Sequence, residues 1–105
     1  MTDAEQFRQL QVEIEDAQSR LDTLRTQLAT VRSNLINSVS METVTLNDGR
    51  PNAYIFRHGG RVIEWTKFSI NGSVTLTEDG KVIAKNVRTG IPVVMLRIAL
   101  GSSDF

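Results

Sequence analysis

The sequence contains no cysteine, a single histidine, and neither glycine nor proline in its first 48 residues. Without cysteine there are no disulfides, no thiol nucleophile and no zinc site built on thiolates, and cysteine usage says nothing of the redox compartment. With His58 alone, no second imidazole completes a typical transition-metal site. Charge of one sign is also missing: twelve Lys and Arg balance twelve Asp and Glu. A neutral chain has no strong long-range field to gather nucleic acid or an anionic membrane. Long apolar runs are absent too. The longest, Ile91 to Leu100, contains Pro92, is interrupted by Arg97 and is too short to span a bilayer as a helix. The opening Met1-Thr2-Asp3-Ala4-Glu5-Gln6 lacks the basic start and apolar stretch of a signal peptide. The expectation is a soluble chain made without export signals, with no membrane partner.

What is present divides the chain in two. All seven Gly and both Pro residues lie at or after Gly49. The stretch before it is rich in Gln, Glu, Arg, Leu and Ala, which favour helix. Thr2 or Asp3 supplies an N-cap, Asp3 and Glu5 sit near the positive end of the helix dipole, and Ser38-Val39-Ser40 marks the exit. The remainder reads as β. Glycines recur about every ten residues, and Asp48-Gly49, Asn71-Gly72 and Asp79-Gly80 are hairpin dipeptides. Strands are predicted over 42–46, 53–56, 61–70, 74–76, 82–87 and 92–100.

The helix carries an apolar residue at Phe7, Leu10, Ile14, Ala17, Leu21, Leu24, Leu28, Val31 and Leu35, in alternating steps of three and four. With Phe7 as heptad position a, the a set is Phe7, Ile14, Leu21, Leu28 and Leu35, and the d set is Leu10, Ala17, Leu24 and Val31. A period of 3.5 matches a left-handed supercoil. A helix packed on its own domain shows a wider apolar face, with e or g positions also apolar. Here e is Gln11, Gln18, Arg25 and Arg32, and g is Gln6, Glu13, Arg20, Gln27 and Asn34. The stripe is narrow, and the helix is roughly 45–50 Å long at 1.5 Å per residue, longer than a small β domain is wide. Both features point to pairing with other copies. The flanks fix neither strand number nor polarity. In a parallel bundle the g-to-e′ pairs Glu13–Gln18, Arg20–Arg25 and Gln27–Arg32 include no salt bridge, and the early acidic and late basic residues also suit an antiparallel pair.

Residues 48–65, from Asp48-Gly49 through Ala53-Tyr54-Ile55-Phe56-Arg57 and Gly59-Gly60 to Trp65, resemble the small trimerising hairpin (foldon) of bacteriophage fibritin, which also follows a parallel three-stranded coiled coil. Two extra residues before Ala53-Tyr54, Phe56 before Arg57, and a late Trp65 depart from that pattern. The resemblance implies a parallel homotrimer with a β head, with Tyr54 and Trp65 at the subunit interface, in a phage fibre, whisker or head-decoration protein. Val94, Leu96, Ile98 and Leu100 alternate with Val93, Met95 and Ala99, so the last predicted strand is apolar on both faces. In so small a head, this implies that another subunit covers one of them.

Candidate chemistry is sparse. His58, in Arg57-His58-Gly59-Gly60, reads as an exposed hairpin tip rather than a general base. Gly59-Gly60 precedes a strand-like stretch, whereas a phosphate loop opens a helix. Arg57, His58, Arg61 and Lys67 interleave with Phe56, Trp65 and Phe68, but residues 39–105 hold only eight Lys and Arg against six Asp and Glu, which does not favour nucleic acid. Asp48 and Asp79 lack EF-hand spacing. No enzyme activity, cofactor or metal is expected. The expected architecture is α+β: a coiled-coil oligomerisation helix over 1–38 and a small antiparallel β head over 39–105, as a parallel homotrimer. The expected role is structural or in assembly, as a phage fibre, head-decoration or adaptor protein contacting other virion proteins. It would sit in the virion if phage-encoded and in the cytoplasm otherwise. The alternative is a cellular adaptor whose helix pairs with a foreign helix.

Overall fold

A computed structural model describes residues 2–45, 51–67 and 72–105. The elements run α1 (Asp3–Asn37), β1 (Ser40–Thr45), β2 (Pro51–His58), β3 (Arg61–Lys67), β4 (Val74–Glu78), β5 (Lys81–Val87) and α2 (Ile91–Ala99). The chain falls into two units, Met1–Ser33 and Asn34–Phe105.

Helix α1 is capped by Thr2. Its Oγ1 accepts the Glu5 backbone N–H at 3.2 Å, and its carbonyl accepts that of Gln6 at 3.0 Å. This satisfies donors that the first helical turn leaves unpaired. At the other end the Ser38 hydroxyl donates to the Leu35 carbonyl at 2.6 Å, where the chain leaves the helix. Between these ends, nothing in the sequence interrupts 35 helical residues.

The five strands form one antiparallel sheet in the order β1-β2-β3-β4-β5. Asp79 and Gly80 form the β4–β5 turn with φ of 53° and 79°. Both central residues adopt the left-handed region, as the Asp-Gly dipeptide predicts. The alternation of β2, β3 and β4 buries one sheet face. Phe56, Ile63, Val74 and Leu76 join Val39, Val87, Val94 and Ile98 in the core. Burying each of the larger side chains stabilises the head by about 1.5–3 kcal/mol before chain entropy is charged. The opposite face carries Glu42, Ile55, Arg57, Val62, Glu64, Thr75, Thr77 and Val82 at alternate positions and remains mostly open.

The last element corrects the sequence reading: residues 91–99 are helical and not the predicted strand over 92–100. Gly90 is the N-cap, Pro92 lies in the first turn, and Gly101 sits at φ 73° just past the C-cap Leu100. The Gly101 N–H donates to the Ile98 carbonyl at 3.0 Å and the Ser102 N–H to the Arg97 carbonyl at 2.9 Å. Those two bonds are a complete Schellman motif. Val94 and Ile98, one turn apart, are buried, with Ile91, Met95 and Ala99 packed beside them. Leu100 is 63% exposed. The segment is therefore not a strand buried on two faces, and the argument for a covering subunit that rested on it falls.

Smaller differences concern boundaries. β1 begins at Ser40, β2 spans 51–58 rather than 53–56, and β4 reaches Glu78. His58 closes β2, half-buried, instead of standing exposed in the turn. The predicted Asp48-Gly49 turn, the strand ends at Leu46 and 68–70, and Asn71 lie outside the described residues.

Candidate functional site: the seam of α1

The nine seam residues all fall within α1, and none is buried. Phe7 is 67% and Leu28 69% exposed, and Leu10, Ile14, Leu21, Leu24 and Val31 are open to a similar degree. Ala17 is exposed as well, and Leu35 is half-buried. Steps of three and four place all nine along one side of the helix. Exposed apolar residues scattered singly are ordinary, whereas these form a contiguous row along the helix.

Away from the seam the helix satisfies its own polar groups. The hydroxyls of Thr23, Thr26 and Thr30 donate to the carbonyls of Ser19, Asp22 and Thr26, four residues back, at 3.1, 3.0 and 3.1 Å. The Gln9 amide reaches Glu13 Oε1 at 3.4 Å. These contacts are local and ask for no partner. Val12, at heptad position f, is the one large aliphatic residue within 7–35 that lies off the seam on the exposed helix.

Tyr54 and Trp65 are brought together, directly opposite in the β2–β3 register. Their ring centroids are 5.1 Å apart at an interplanar angle of 64°, the edge-to-face geometry aromatic pairs favour. Both are half-buried and pack against the core of their own chain. The Trp65 indole Nε1 is buried without a hydrogen-bond partner among the described residues.

Sequence reasoning missed one polar cluster. Arg61 Nε and Nη2 donate to the Glu78 carboxylate at 2.7 and 3.1 Å, while Nη1 donates to the Ser102 carbonyl at 2.9 Å. The fork joins the start of β3 and the end of β4 to the cap of α2. The hydrogen bond and charge of Arg61 hold the Glu78 carboxyl below its ordinary range, and Glu78 raises Arg61 in turn. This is an ion pair that closes the head. Among the described residues no group of three or more His, Asp or Glu is arranged to hold a metal ion. No described helix is long and apolar enough to cross a membrane. No family model, curated protein or solved structure matches the chain.

Proposed function

We propose that this chain is a non-enzymatic structural or assembly protein that works as a homo-oligomer joined through α1. The observation that carries the reading is the unbroken seam from Phe7 to Leu35 on a helix with no buried residue. An isolated helix gains little stability from propensity alone, and most helical stability in proteins comes from packing an apolar face. A seam of this kind is therefore a reason for copies to associate. Three parallel copies is the arrangement we favour. It rests on the resemblance of residues 48–65 to the fibritin hairpin, since the doubly apolar final strand no longer supports it. Such a stalk with a β head suits a phage fibre, a head decoration or an adaptor between virion components.

The same exposed seam serves the alternative, a cellular adaptor whose helix pairs with a foreign one. The Arg20–Arg25 flank, repulsive between parallel copies, is the feature that favours it. A peptide spanning residues 3–37 separates the two. Self-assembly predicts helicity by circular dichroism that rises with peptide concentration. A peptide that stays unfolded up to millimolar concentration, and folds only with another helical protein, would overturn the homo-oligomer in favour of the adaptor.

A further inference from the structure

The two edges of the sheet are built differently. In β5, Asn86 and Ile83 are extra residues that have no partner on β4: the register passes from Val87 to Lys85 and from Ala84 to Val82. Asn86 adopts φ 57°, and Lys81, Lys85 and Asn86 are exposed along the strand. Bulges and lysines are the devices that keep a sheet edge from pairing with another chain. β1 has neither. Its sequence Ser-Met-Glu-Thr-Val-Thr contains no Lys, Arg or Pro. The irregularity in its pairing falls on β2, where Asn52 is skipped between Ala53 and Pro51. Every residue of β1 is exposed, including Met41 at 48% and Val44 at 39%. Among the described residues no strand pairs with its outer edge.

The single charge on this edge is compensated. Glu42 Oε2 accepts a hydrogen bond from Arg57 Nη1 on β2 at 2.7 Å. The strand is also complementary to itself. An antiparallel pair keeps each face continuous only if residues of like parity stand opposite. Centred on Thr43, the pairing sets Thr43 against Thr43 and Met41 against Thr45 on one face, and Glu42 against Val44 on the other. Thr–Thr pairs and aliphatic contacts stabilise such ladders. Shifting the centre to Glu42 sets like charges face to face.

We propose that the outer edge of β1 is a second self-association surface, on which β1 of another copy adds antiparallel about a two-fold axis at Thr43. Such a pair is isologous, each strand giving the same groups that it takes. It does not depend on α1. A two-fold contact cannot close the three-fold ring proposed for the seam, so the two together join one bundle to the next, an arrangement suited to a protein of extended assemblies.

The absence of cysteine permits a direct test. Thr43→Cys and Thr45→Cys are each made in the full chain, alone and together with Leu24→Asp to remove the seam, and oxidised with copper phenanthroline. Opposed Cβ atoms on the two-fold lie about 4.5–5.5 Å apart, close to the reach of a disulfide. Copies of residue 45 lie about 13 Å apart in the same register, at roughly 3.3 Å per residue. The proposal predicts that Thr43→Cys gives a covalent dimer in both backgrounds, in at least tenfold higher yield than Thr45→Cys. It also predicts that Leu24→Asp sediments as a dimer and that adding Thr43→Lys halves its mass. Equal cross-linking at the two positions, or a Leu24→Asp chain that is monomeric at hundreds of micromolar and does not cross-link through position 43, overturns it. If Leu24→Asp leaves the mass unchanged, the seam assignment fails and the result at position 43 still decides the edge.

Discussion

Placing an aspartate in the middle of the seam probes the assembly where its energetics are simplest. Leu24 is 57% exposed in the single chain. Full burial of a leucine side chain is worth about 1.5–3 kcal/mol, so the exposed share contributes ~1–1.5 kcal/mol per copy when the seam closes. Leu24→Asp removes that share and places a carboxylate in the same core layer in every copy. Burying it unpaired costs several kcal/mol more, or forces it to take up a proton. At ~4 kcal/mol per copy the penalty is ~12 kcal/mol over three, about nine orders of magnitude in the assembly constant. No micromolar bundle survives that loss through its seam. Because no residue of α1 is buried in the single chain, its 35 residues should lose much of their helical circular dichroism, while the head keeps its β signal. Val12→Asp is the control. Val12 is as exposed as the seam residues but lies off the stripe, so it should leave mass and melting temperature unchanged. If Leu24→Asp melts and sediments like the wild type, or if Val12→Asp is equally disruptive, the seam is not the interface.

Other expectations concern the head. The Glu78 carboxyl is held below its ordinary value of 4.5 by Arg61, so it binds a proton more readily in the unfolded chain. Its contribution to stability is complete above that ordinary value and is lost as pH falls through the folded one. Glu78→Gln should accordingly flatten the acid limb of stability against pH in denaturant titrations, whereas an unchanged limb would show that the pair contributes nothing. Gly101 occupies φ 73° with open space where a Cβ would project, so Gly101→Ala should cost only the backbone strain, about 1 kcal/mol. For a domain of this size that lowers the melting temperature by about 4–8 °C; no shift would refute the left-handed cap. Ile98 is buried and Leu100 exposed, so Ile98→Ser should destabilise the head by about 3 kcal/mol or more and Leu100→Ser by under ~0.5 kcal/mol. Equal costs would restore the strand reading of this segment.

The parts of this fold that were legible in the sequence are those fixed by local rules. α1 follows from the absence of Gly and Pro before residue 49 and from the three-four spacing, and its exit at Ser38 from the loss of that spacing. The β4–β5 turn follows from Asp79-Gly80. α2 was not legible to a reading of alternation, because a nearly continuous apolar run satisfies both a two-residue and a 3.6-residue period. The discriminating signal was present at its ends: Pro92 just inside the start and Gly101 just past the finish are the asymmetry of a helix. Weighing those ends above the alternation would have placed Val94 and Ile98 inside and Leu100 outside. The Arg61 fork had no local signature, since its partners lie 17 and 41 residues away and meet only when β3, β4 and the cap of α2 are in place. The contrast between the edges of the sheet became visible only with the register, which shows the extra residues to lie in β5 and β2 and not in β1.

The measurement that bears most directly on the central claim is the mass of the 105-residue chain in solution, by sedimentation equilibrium from low micromolar concentration upward. The chain mass is 11.7 kDa. The proposed parallel trimer predicts a species of about three times that value as the smallest abundant one. A single species of 11.7 kDa across the whole range would contradict it.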